Sequence, residues 1–192
     1  MLAPKRLGKE LIKIKEGLPP GIELVSAEDF KEWLMDIRVL DSNPIYLNQI
    51  YRLRFRFSSK YPIGMSFSPV TSLSIPLYKS TSLFLSLTRN PADCSPLPLP
   101  IESPEVTFVP STSPPRIIPM HPHIYSNGII CLDLLSSAGW SPVQNVESIC
   151  MSLQSMLTGN TRNERPPGDQ EFVRRNTLRP RDIRFDYEDS TV

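Results

Sequence analysis

His121-Pro122-His123-Ile124-Tyr125-Ser126-Asn127-Gly128-Ile129-Ile130-Cys131-Leu132-Asp133-Leu134-Leu135 is the stretch on which the reading of this chain turns. An Asn-Gly pair between apolar residues marks a tight turn. The turn separates a His-Pro-His triplet from a cysteine, so imidazoles and a thiol share one short segment. Asp133 follows the thiol closely, and Trp140-Ser141-Pro142 lies just beyond. A cysteine framed in this way is a candidate nucleophile, because its thiolate attacks acyl carbon and also leaves readily.

The other uses of cysteine fit less well. The chain holds 3 cysteines, an odd number without repeated spacing, which gives no disulfide framework. A metal site built from His121, His123 and Cys131 lacks a fourth ligand and a paired Cys-x-x-Cys, so no metal is expected. Cys150 lies on an apolar stripe and reads as a core residue, and Cys94 belongs to an unusual segment treated below. A papain-like protease needs different surroundings for its cysteine.

Composition narrows the class further. With 21 basic and 20 acidic side chains dispersed along 192 residues, no basic stripe is available for nucleic acid. Arg52, Arg54 and Arg56 alternate with Leu53, Phe55 and Phe57, the pattern of a strand with a solvent face rather than a phosphate site. The most apolar region, around Leu73 to Leu87, is interrupted by polar residues and falls short of the ~18 unbroken apolar residues of a membrane span. No signal peptide is evident, and a reducing compartment, cytoplasmic or nuclear, is expected.

Working outward, Leu7, Leu11 and Ile14 recur at helical spacing among Lys5, Arg6, Lys9 and Lys13, and Gly17-Leu18-Pro19-Pro20 ends the pattern. Strands are expected at Ile22 to Val25, Trp33 to Leu40, Tyr51 to Phe57 and Glu105 to Val109. Beyond the quoted stretch, Val146, Ile149, Cys150, Leu153, Met156 and Leu157 form one apolar face ending at Gly159. Ser141 with Pro142 is the expected start of that helix. Asp169 is expected to cap a second short helix through about Asn176. The order predicts an α+β domain with an N-terminal helix, a four-stranded antiparallel sheet and C-terminal helices. The core spans 1–176, and 177–192 is a weakly patterned tail.

Residues 64–101 do not share this patterning. They are rich in Ser, Leu and Pro, and a stretch of this length without a period is foreign to a compact domain. The segment is read either as a translated intron, since Gly64-Met65-Ser66 can be encoded by a donor-like GTATG, or as a lineage-specific loop. Sequencing the mature transcript separates the two.

With 64–101 set aside, Tyr61-Pro62-Ile63 runs into Glu102-Ser103-Pro104-Glu105-Val106-Thr107-Phe108. This join, the His-Pro segment with Cys131, and Trp140-Ser141-Pro142 together resemble the ubiquitin-conjugating enzymes. His-Pro-His in place of His-Pro-Asn, the Tyr-Ser-Asn-Gly after it, Arg165-Pro166-Pro167 and Phe172-Val173-Arg174 resemble the W-type branch of that family. The resemblance implies that Cys131 carries ubiquitin as a thioester and that the acceptor is the α-amino group of a flexible protein N-terminus. It implies no cofactor, because ATP is consumed by the activating enzyme upstream.

It also implies roles for the neighbours. His121, with Pro122 and Asn127, supports the loop, a general base being the alternative for His121. His123 either donates to the oxyanion or braces the loop. Asp133 orients the incoming amine or is a solvated loop carboxylate. The implied partners are ubiquitin, the activating enzyme, a RING or U-box ligase, and substrates with flexible N-termini. Lys5, Arg6, Lys9, Ile63, Ser141 and Pro142 fall on the surfaces that meet the first enzyme and the ligase. A noncatalytic ubiquitin-binding variant, or a product that 64–101 keeps from folding, are the competing outcomes.

Overall fold

The computed structural model describes residues 3–62, 102–136 and 139–185. Ile63, the 64–101 segment with Cys94, and 186–192 lie outside the described residues. Helix α1 (Ala3–Glu16) leads into strands β1 (Ile22–Ser26), β2 (Glu32–Ile37), β3 (Tyr51–Arg56) and β4 (Glu105–Val109), which form one antiparallel sheet in sequence order. A two-residue hairpin follows, β5 (Ser111–Thr112) with β6 (Pro115–Arg116), then α2 (Val146–Thr158) and α3 (Asp169–Arg175). The expected architecture is the observed one. Among the described residues no helix is long and apolar enough to cross a membrane.

Alternation explains the sheet. Trp33, Met35 and Ile37 on β2 stand opposite Phe55, Leu53 and Tyr51 on β3, and Leu53 and Phe55 stand opposite Phe108 and Val106 on β4. All are buried on one face. The apolar stripe of α2, with Val146, Ile149, Cys150, Leu153 and Leu157, joins the same core, as do Leu7 and Ile14 of α1.

The other sheet face differs from the expectation at Arg52. Arg54 and Arg56 are partly or fully exposed, but Arg52 is buried beside Asp36, its register partner. The β5–β6 hairpin brings Arg116 onto the same carboxylate: Asp36 Oδ1 accepts from Arg52 Nε at 2.8 Å, and Asp36 Oδ2 accepts from Arg116 Nη2 at 2.9 Å. Desolvation offsets much of the attraction in such a cluster, so it fixes where the hairpin lies more than it adds stability.

Three boundaries are corrected. Strand β2 ends at Ile37, not Leu40. Helix α2 is capped by Asn145, not Ser141: Asn145 Oδ1 accepts from Ser148 N while Ser148 Oγ accepts from Asn145 N, a reciprocal capping box. Ser141 and Pro142 instead sit in a turn closed by Gln144 N donating to Ser141 O. Helix α3 has Gly168 at its cap, at φ 73°, and Asp169 is its first residue, with Oδ1 accepting from Ser126 N at 2.7 Å. The tail is also more ordered than expected through Phe185. Arg181 ion-pairs with Glu102 and Glu105, Ile183 is buried, and a 3-10 turn spans Pro180–Asp182.

Glu10, an acidic residue on the largely basic α1, links three elements. Its Oε1 accepts from Arg6 and from Tyr61 OH, and its Oε2 accepts from Val146 N at the start of α2. A carboxylate there is favoured by the helix dipole.

The ends of the chain around 64–101 meet in space. Glu102 N donates to Pro62 O at 3.1 Å. If Ile63 alone joined Pro62 to Glu102, that bond would be the i to i+2 contact of a γ-turn. Deleting residues 64–101 is therefore expected to preserve the fold and raise the urea midpoint, because shortening a long connection lowers the entropic cost of closure by roughly 3 kcal/mol. A deletion that unfolds the domain would show that 64–101 contributes to its core.

Candidate active site

The segment quoted at the outset folds as an irregular hairpin against β4. Gly128 O accepts from Phe108 N at 2.9 Å, and Thr107 bridges Ile129. Asn127 Oδ1 accepts from Ile129 N, and Gly128 N donates to Tyr125 O, so Ser126-Asn127-Gly128 is the tip. Ile124 and Ile130 are buried and bridge each other, which anchors the two legs in the core. Across the base, Cys131 N donates to His123 O at 2.8 Å. The cysteine is half-buried and His123 is exposed, and the bond pairs the two residues across the hairpin.

His121 is the buried member of the pair. Its Nδ1 accepts from His123 N at 2.9 Å, and the two rings lie 5.5 Å apart between centroids. Burial, then the charge of His123, push its pKa down to about 4, while a hydrogen bond to the Met156 backbone acts the other way. The imidazole is thus neutral and bridges the loop to α2, with Pro122 half-buried in the intervening turn.

This has a consequence for stability. Between pH 6.5 and about 4 the unfolded chain takes up a proton that folded His121 refuses. A depressed folded pKa gives stability that is present above the unfolded pKa and lost as pH falls through the folded one. Stability should decline across that window, and His121→Asn, which keeps an acceptor without titrating, should flatten the decline. An equally steep urea-midpoint profile in the variant would assign the slope to other groups.

Asp133 opens a 3-10 turn, Asp133–Leu135, and is exposed; its Oδ1 accepts from Ser136 Oγ, which in turn accepts from Gly139 N. That contact turns the exposed carboxylate toward Ser136. Cys150 is buried in α2, where burial pushes its thiol pKa up, so it is no competitor as a nucleophile. Among the described residues no group of three or more His, Cys, Asp or Glu could hold a metal ion.

Tyr125 was not singled out by sequence. It stacks on Phe172 of α3 with centroids 3.8 Å apart and lies near Phe185. Its hydroxyl pKa is raised by burial and then by the charges of Cys131 and Asp169. The signal available was its position inside the quoted motif.

The expected partner residues separate into two groups. Lys5 and Lys9 are exposed on α1, whereas Arg6 turns inward to Glu10 and donates from Nη2 to Gln144 O at 2.8 Å. That bond joins α1 to the Ser141-Pro142-Val143 turn, where Val143 is 82% exposed.

Comparison with known proteins fits this geometry. The family model described as "Ubiquitin-conjugating enzyme" matches residues 95–182. A probable ubiquitin-conjugating enzyme E2 W of Dictyostelium discoideum is 32% identical over 98% of this chain and 96% of its own length. The chain belongs to the ubiquitin-conjugating enzyme family. The ubiquitin-conjugating enzyme E2 W of Caenorhabditis elegans is 30% identical over 99% of this chain and 97% of its own. Among solved structures, the ubiquitin conjugating enzyme E2 UbcA1 of Agrocybe aegerita superposes with a TM-score of 0.68 at 35% identity, covering 93% of this chain and 98% of that one. As a ubiquitin-conjugating enzyme, the protein is a ubiquitin transferase, in a family that works with ubiquitin, activating enzymes and ligases.

Proposed function

We propose that Cys131 receives ubiquitin as a thioester from the activating enzyme and passes it to the α-amino group of flexible protein N-termini. The observation that supports this is the Cys131 N to His123 O bond, which pairs the half-buried cysteine with an exposed histidine across the base of the hairpin. The amine nitrogen attacks the thioester carbon, the carbonyl oxygen becomes an oxyanion, and its collapse expels the Cys131 thiolate as the nitrogen loses a proton to water. His123 donates an N–H to the oxyanion. Asp133, oriented by Ser136, receives the amine.

Amine choice has a physical basis. An α-amino group titrates near ~7.7–8.0 and a lysine near ~10.4, so at neutral pH the terminal amine is hundreds of times more often in its nucleophilic form. An enzyme that uses such an acceptor needs less help deprotonating it, and the replacement of the usual asparagine by His123 is compatible with that choice.

The docking surfaces follow from the same frame. Lys5 and Lys9 on α1 and the Ser141-Pro142-Val143 turn form one region, joined through Arg6 and Gln144, for the activating enzyme and a RING or U-box ligase. The setting is cytoplasmic or nuclear, in keeping with a thiol that must stay reduced.

Transfer to two acceptors tests the amine choice. A lysine-free protein with a free, flexible N-terminus is expected to be modified, and its N-acetylated counterpart carrying lysines is expected to be spared. Full-rate transfer to the acetylated acceptor would refute N-terminal selectivity.

A further inference from the structure

Residues 117–120, which lead from the β5–β6 hairpin to His121, belong to no strand, so their carbonyls need other donors. Side chains from remote elements supply them. Arg165 Nη1 donates to Pro119 O at 2.6 Å and to Ile124 O at 2.9 Å, and Arg165 Nη2 donates to Ile118 O at 3.2 Å. Tyr46 OH donates to Met120 O at 2.7 Å. One guanidinium therefore grips the chain on both sides of His121-Pro122-His123.

Local sequence explains how Arg165 reaches that position. Asn160, just past α2, uses Nδ2 on Tyr46 OH and on Arg162 O and accepts from Arg162 N, which directs the chain back toward the loop. Pro166 is buried, and a following proline keeps Arg165 extended. The partly buried guanidinium has its pKa drawn down by burial, with Asp169 and Tyr46 opposing. Here a cation serves neutral carbonyls. Only the planar, divergent donors of arginine span three of them; a lysine ammonium is a point donor on a flexible stem.

We propose that Arg165 is a positioning residue for ubiquitin transfer: by fixing the carbonyls of Ile118, Pro119 and Ile124 it holds His123 in register with Cys131. The inference rests on the reading that Cys131 is the carrier. Loading asks little of the loop beyond an accessible thiolate. Discharge requires amine, thioester and His123 in one geometry, so loosening the loop slows discharge more than loading. A misplacement near 1 Å costs about 100-fold in such steps.

The test uses the full chain with Arg165→Lys and Arg165→Ala. Each is charged with activating enzyme, ATP and ubiquitin, charging is quenched, and loss of the adduct to an amine acceptor is followed in single turnover. Both variants are expected to load. Discharge should slow about 10-fold in Arg165→Lys and up to about 100-fold in Arg165→Ala, with the acceptor KM unchanged. Guanidinium ion below denaturing concentration should restore Arg165→Ala, and sodium at equal ionic strength should not. Should Arg165→Ala fail to fold, the Arg165→Lys rates decide. Discharge of Arg165→Lys at the wild-type rate would overturn the proposal, as would equal slowing of loading and discharge without rescue. Failure of the wild-type chain to load would instead overturn the carrier reading beneath it.

Discussion

Gly128→Ala is expected to destabilise the protein by about 3 kcal/mol or more and to depress ubiquitin loading with it. Gly128 sits at φ 85°, a conformation that costs other residues roughly 1–2 kcal/mol. A Cβ there would also be driven into the carbonyl of Phe108, far inside van der Waals contact. Relief requires the hairpin to part from β4, losing the 2.9 Å bond from Phe108 N to Gly128 O, worth about 1 kcal/mol, and disturbing the leg that carries Cys131. Urea unfolding and loading rate report the two effects. Gly8→Ala is the control: nothing lies within 4 Å of its Cβ, and the exchange within α1 should add about 0.5–1 kcal/mol. A Gly128→Ala protein as stable as wild type would show that the tip can move away from β4 at no cost.

Cys131→Ser is expected to trap the carrier state. The serine hydroxyl occupies the same half-buried position, so an adduct can still form slowly as an oxyester. An alkoxide leaves far less readily than a thiolate, and transfer to amines should fall at least about 100-fold, close to 3 kcal/mol of barrier. The adduct should survive reductant. A serine variant that discharges as fast as the cysteine would mean that departure of the residue-131 sulfur is no part of the slow step.

What could be read beforehand was whatever has a short period or a contiguous motif. Leu7, Leu11 and Ile14, the alternation around Met35 and Leu53, and the stripe through Ile149 and Leu153 each declare a buried face, and together they defined the layers. The proximity of His123 to Cys131 was implicit in one hairpin. Residues whose role depends on a remote partner stayed hidden. Arg52 looks like a solvent residue until the hairpin bearing Arg116 covers it, and Glu10 until Tyr61 and Val146 reach it. Arg165 was visible only as a motif letter, because its three acceptors lie some forty positions upstream. Ser141-Pro142 satisfied the usual grammar of a helix start, but those residues form a turn and the reciprocal Asn145–Ser148 box starts the helix four residues on.

Every proposed step begins with ubiquitin carried on Cys131. Incubating the full chain and its Cys131→Ala variant with activating enzyme, ATP and ubiquitin, and resolving them on a nonreducing gel, tests it directly. The account predicts an adduct with the wild-type chain that disappears on adding thiol and never forms with Cys131→Ala. A folded wild-type chain without an adduct, or an adduct that persists in Cys131→Ala, would contradict it.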